Sequence, residues 1–194
     1  LKITSMIYRK WGSASLQRME DWVQAWDDPS LNSGTKGKGA QDAWYISALE
    51  MELAKLLGLN IAGGSIDVYK CFDQIQRPIL YEILEKAGMP KGIIEAYRSF
   101  QEELKVRNTI AGGLGSEYKR ETSIPQGDPF SMMMMMTVLL MRPWMKQMEE
   151  MEVIARILAD DLFILHSGEE HLSKIEEAFD ATHKHMQDMG AKIA

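Results

Sequence analysis

Apolar positions along the chain fall into two patterns, and the change from one to the other marks most of its expected elements. Helical spacing comes first. Leu16, Met19, Val23 and Trp26 stand three or four residues apart, so the second half of residues 3–26 is expected to be helical. Residues 27–41, "DDPSLNSGTKGKGAQ", read as a loop rich in Gly, Ser, Asp and Lys. A helix follows from about Asp42 to Leu57, stopped by Gly58. The stretch "RPILYEILEKAGMP" has Pro78 at a first helical position and Gly88 and Pro90 at its end. A further helix spans about Lys91–Glu103.

The second pattern is short and rich in β-branched residues. "GGSIDVYKCF" has strand character and opens on two glycines, and residues 104–124 place "AGGLGSE" between two such runs, which suggests a hairpin. "VIARIL" and "LFILH" read as two more strands. Between them and the hairpin, Asp128 is placed to cap a helix with Pro129 at its first position. That helix is expected to run to about Glu150, with Pro143 kinking or ending it early. The five-methionine run within it suits an adaptable packed face. The last helix, about Glu169–Met189, carries Leu172, Ile175, Phe179 and Met186 on one stripe. The order α-α-β-α-α-ββ-α-ββ-α points to an α+β fold, a largely antiparallel sheet packed on helices.

A length of 194 residues suits one domain, or one plus part of another, with a sizeable core. The single Cys71 excludes an internal disulfide and fits a reducing compartment. The longest apolar run, residues 132–141, falls short of the roughly 20 residues that span a bilayer, and no secretory signal is evident. An intracellular location, nucleus or cytoplasm, is therefore expected. Leu1 lands inside a patterned stretch and the chain stops at "MGAKIA", so it reads as a fragment cut at both ends. The net charge of −6 argues against nucleic-acid binding, which usually leaves a basic footprint.

Candidate chemistry changes that picture. In "IARILADDLFIL", Asp160 and Asp161 interrupt an almost wholly apolar run, where unpaired carboxylates are expensive to bury and repel one another. Two strands joined by a two-residue turn would put both at a hairpin tip. A plain Asp-Asp turn explains that as well as a metal site does, since aspartate suits turns and clustered carboxylates suit divalent cations. Asp67, flanked by Ile66 and Val68, is a second acid inside a strand-like segment and favours the metal. Three carboxylates on two adjacent strands could hold two Mg²⁺ ions roughly 4 Å apart, an arrangement that serves phosphoryl transfer.

"SIDVYKCFD", "IPQGDPFS" and "LADDLFIL" resemble, in order and approximate spacing, palm motifs A, B and C of reverse transcriptases. The resemblance is to the non-LTR retrotransposon and group II intron types, and "MIYRKWGSASLQRMEDWVQAW" looks like their fingers segment. It implies partial fingers at 1–60 and a palm at 61–194 with a fingers-side insertion at about 90–124, the thumb being absent. It also implies metal ligation and catalysis by Asp67, Asp160 and Asp161, with Mg²⁺ as cofactor and Mn²⁺ able to substitute. Phe72 matches the aromatic steric gate that selects deoxynucleotides. Gln126 and Gly127 match residues lining the pocket for the incoming nucleotide, and the amide near Val68 is expected to face its triphosphate. The partners implied are an RNA template, a DNA primer and deoxynucleoside triphosphates, with no membrane.

Other residues read more plainly. Asp73 suits a turn or helix cap, Asp128 an N-cap, and His183 and His185, two apart on a helix, solvated positions. "TKGKG" reads first as a flexible loop, and Lys119 and Arg120 as candidate template or phosphate contacts. Leu158 stands where the family usually has an aromatic residue, and Met132 where a proline often follows the motif B serine. Two rivals remain: an RNA-dependent RNA polymerase, which shares the palm aspartates, and an inactive element remnant that only binds RNA.

Overall fold

The computed structural model describes residues 4–33, 36–125, 127–131, 141–158 and 160–193. The chain opens with α1 (Met6–Arg18) and α2 (Glu20–Ala25), so helix covers more of the first segment than the spacing suggests. Next come α3 (Ala40–Leu56), β1 (Ile61–Asp67), the short α4 (Cys71–Gln74), α5 (Arg77–Lys86) and α6 (Lys91–Glu103). The strand expected over "GGSIDVYKCF" thus starts before its glycines and gives way to α4 at Cys71; Lys70 takes a left-handed conformation, φ 45°, at the junction.

The expected hairpin is two small ladders, β2 (Lys105–Val106) with β5 (Tyr118–Lys119) and β3 (Thr109–Ile110) with β4 (Gly113–Leu114). Then come α7 (Arg142–Glu150), β6 (Ile154–Leu158), β7 (Asp161–Ser167) and α8 (His171–Asp188). Pro143 lies in the first turn of α7 and opens that helix, where its missing N–H goes unneeded. The methionine run and Met132 lie outside the described residues.

β1, β7 and β6 form one antiparallel sheet with β7 in the middle, and the fold is α+β as its pattern implies. The outer edge of β6 is covered by the loop at Leu31, where Asn32 N donates to Ile157 O and Ile157 N to Ser30 O. A covered edge does not recruit foreign strands. The core joins Ile66, Val68, Ile157, Leu162 and Ile164 of the sheet to Trp144, Met145 and Met148 of α7 and to Ile175, Ala178 and Met186 of α8. On α8 the buried stripe is Ile175, Ala178, Thr182 and Met186; Leu172, expected on it, is 68% exposed. Buried Arg156 on β6 reaches α3, donating to Ser47 Oγ and pairing with Glu50. Among the described residues no helix is long and apolar enough to cross a membrane.

Candidate active site

Strand alternation sets the site. Ile66 and Val68 are buried and Asp67 between them is exposed; on β7, Leu162 is buried and Asp161 before it is exposed. The register pairs Asp67 with Asp161, and directly opposed residues of an antiparallel pair project from the same face. Two carboxylates therefore stand side by side at one end of the sheet. Leu158 pairs with Asp161, and Asp160 lies in the turn before β7. Asp160 alone is thus at the tip described here, and Asp161, expected beside it in the turn, opens β7. Val68 N donates to Asp160 O at 3.3 Å, tying the turn to the end of β1.

Asp160 and Asp67 also share a neighbour. The Cys71 thiol is pushed up to about 12, first by burial, then by the negative charges of Asp160 and Asp67. All three acids thus gather around the junction of β1, α4 and β7. Among the described residues none has a Lys, Arg or His partner. Nor do any three His, Cys, Asp or Glu side chains among them form a ready-made metal cage. Unpaired carboxylates of this kind are nonetheless the donor set Mg²⁺ uses, since it takes one or two of them and completes its shell with water and substrate phosphates.

Phe72 lies on α4, partly buried against the core, and its carbonyl accepts Ile124 N at 2.9 Å. Ser123 N donates to Ile75 O at 3.0 Å, so the approach to "PQG" runs along α4. Gly127 is exposed with φ +94°, a conformation that side chains resist. Gln126 lies outside the described residues. The Val68 amide is already engaged with Asp160 O, and Tyr69 N donates to Lys192 O, so a triphosphate would have to displace a bond to use either.

Several polar residues are spent on architecture. Arg120 pairs with Asp73 at 2.8 Å, and Thr122 Oγ1 donates to Asp73 O. Arg120, expected as a phosphate contact, is therefore a brace between α4 and the segment before "PQG". Lys36 and Lys38 of the loop pair with Glu20 and Asp27. Asp128 Oδ1 accepts Phe130 N at 2.8 Å, the bond a capping side chain makes, though most of the helix it is expected to cap lies outside the described residues. The sequence does not disclose its other bonds: Oδ2 accepts from Tyr8 Oη at 2.6 Å and Gln101 Nε2 at 2.9 Å. No spacing rule links residues so far apart in the chain.

The whole chain, residues 1–194, matches the family described as reverse transcriptase (RNA-dependent DNA polymerase). The chain belongs to the reverse transcriptase family. No curated protein matches it. Among solved structures, it is similar to apo telomerase from Candida tropicalis truncated from its C-terminal domain, at TM-score 0.67 and 18% identity over 93% of this chain. It is also similar to telomerase from Candida tropicalis in complex with a fragment of telomeric RNA, at TM-score 0.63 and 16% identity over 97%. The Candida albicans counterpart gives 0.58 and 15% over 96%. At such identities the likeness is one of fold. This reverse transcriptase chain spans 38%, 33% and 32% of those three structures.

Proposed function

We propose that the chain forms the palm and partial fingers of an RNA-directed DNA polymerase, with fingers at 1–60 and palm at 61–194. It adds deoxynucleotides to a primer 3′-hydroxyl on an RNA template, as part of a retrotransposon-type element working in the nucleus or cytoplasm. The observation that carries this is Asp67 opposite Asp161 across β1 and β7, with Asp160 in the adjoining turn. Asp67, Asp160 and Asp161 would hold two Mg²⁺ ions, which when bound supply Lewis-acid activation of the attacking hydroxyl and charge stabilisation of the leaving pyrophosphate.

The chain's own residues do the rest. Asp67 and Asp161, opposed across β1 and β7 and exposed, put two negative charges side by side at the sheet end. The covered β6 edge and packed β7 keep that end rigid, as a site held to within a fraction of an ångström needs. Phe72, on α4 just after β1, would exclude a ribose 2′-hydroxyl, and Gly127 would allow close approach of backbone to the nucleotide. The test is primer extension by the intact protein on poly(rA)·oligo(dT) with Mg²⁺. Asp160→Asn should abolish it; retained extension would sink the assignment. Phe72→Ala should raise ribonucleotide incorporation, and unchanged discrimination removes the gate.

A further inference from the structure

Asp128 is 3% exposed, yet among the described residues it has no cationic partner. An N-cap alone does not call for a buried carboxylate, since Ser or Asn caps as well without the desolvation. Three donors converge on it: Phe130 N on Oδ1, Tyr8 Oη and Gln101 Nε2 on Oδ2. Only an acceptor-only group with two oxygens satisfies that set, and among side chains that is a carboxylate. The three donors come from α1, from α6 and from the turn that Asp128 itself begins. The same three parts pack around it. Tyr8 stacks on Phe100 at 3.5 Å, Tyr97 meets Phe130 edge-on at 5.3 Å, and a Cβ on Gly12 would lie 3.0 Å from Pro129.

The other end of this segment is fastened elsewhere. Ser123 donates to the carbonyl of Ile75, just past α4, Ile124 to that of Phe72 on α4, and Arg120 and Thr122 hold Asp73. Gly127 therefore stands in the chain between two anchors, one on α4 beside the strand-end aspartates and one at Asp128 on α1 and α6.

We propose that Asp128 is a positioning residue for the incoming-nucleotide pocket: its three-way clamp fixes Gly127 relative to Phe72, so that α1 and α6 set nucleotide affinity from behind. This rests on the polymerase reading of the same site. It assigns to Tyr8 and Gln101 a part in substrate binding although neither reaches the sheet end.

The test compares the intact protein with Tyr8→Phe and Asp128→Asn on poly(rA)·oligo(dT). Tyr8→Phe keeps the ring on Phe100 and removes one donor; Asp128→Asn keeps the cap and removes one acceptor. The readouts are KM and kcat for dTTP, and Kd for dTTP on the same duplex in Ca²⁺, where no chemistry is required. Each variant should raise KM and Kd for dTTP by roughly 3- to 10-fold, on the scale of one hydrogen bond, with a much smaller change in kcat. The double variant should add little to either single one, because both break one clamp. A Kd for dTTP unchanged in both folded variants, with only the melting temperature lowered, overturns the proposal. A parent that binds dTTP without extending the primer refutes the polymerase reading, and the clamp is then judged on Kd alone. A parent that binds no dTTP refutes both.

Discussion

Asp128 is buried and accepts three hydrogen bonds, whereas Asp67 and Asp161 are exposed at strand ends and have no basic partner among the described residues. The two treatments of one side chain follow from two tasks. A carboxylate that builds the fold must be desolvated, and is tolerable only when its lone pairs are filled. One that binds a transient ligand must keep its lone pairs open, at the expense of local repulsion. The strand-end group is therefore dispensable to folding and indispensable to binding, whereas the buried one is needed for folding and acts on binding only through the segment it positions.

The largest effect tests that division at the strand ends. Asp160→Asn, or Asp67→Asn, should lower primer extension by about 10³-fold or more, as removal of a catalytic group does. Neither should lower the melting temperature, because each relieves like-charge repulsion without opening a cavity. A variant that loses activity only in step with its melting temperature would give these acids a purely structural role and break the contrast.

Asp128→Ala is the converse. It strands the Tyr8 hydroxyl and the Gln101 amide in a buried site, which should lower stability by about 2–4 kcal/mol in urea unfolding. A loss under about 0.5 kcal/mol, typical of a surface position, would remove its structural role. Gly63→Ala probes the ground on which the strand-end acids stand. An added Cβ would lie 2.5 Å from Ile164 O, backbone of the partner strand, so β1 and β7 must part. We expect about 1–3 kcal/mol of destabilisation, together with a loss of extension that outlasts correction for folded fraction, since Asp67 and Asp161 depend on that pairing.

Legibility in the sequence divides along the same line. The strand-end acids announce themselves because polar residues inside apolar runs are conspicuous, and a period of two says which face they share. Helix limits such as Lys91–Glu103 follow equally from local signals. Asp128 was legible only as a cap, since its partners Tyr8 and Gln101 are brought to it by tertiary packing that no spacing encodes. Pro143 shows what such a signal leaves open: proline marks a helix boundary without saying which side the helix lies on, and here it stands in the first turn of α7, while residues 132–140 before it lie outside the described residues. Arg120 looked like a free cation because Asp73 is distant in sequence. Leu172 fits a helical stripe by count, yet the packed face of α8 is turned toward Ala178 and Thr182.

The smallest effect separates the two groups by pH. Burial holds the Asp128 carboxyl above the usual carboxylate range, against the pull of bonds from Tyr8, Phe130 N and Gln101. With the folded pKa above the unfolded one, the folded state binds more protons in the window between them. Stability then falls as pH rises through that window and levels off above it, with a slope from this one site of at most about 1.4 kcal/mol per pH unit. Asp128→Asn has no such proton to hold. The parent should therefore gain stability relative to Asp128→Asn as the pH falls through the acidic range, measured by urea unfolding at stepped pH. The bonds to Tyr8, Phe130 N and Gln101 favour the charged form and burial opposes it, so the sign of that difference decides which dominates. A parent that instead loses stability relative to the variant on acidification would mean that the three hydrogen bonds outweigh burial, and that the clamp holds a carboxylate that is charged throughout.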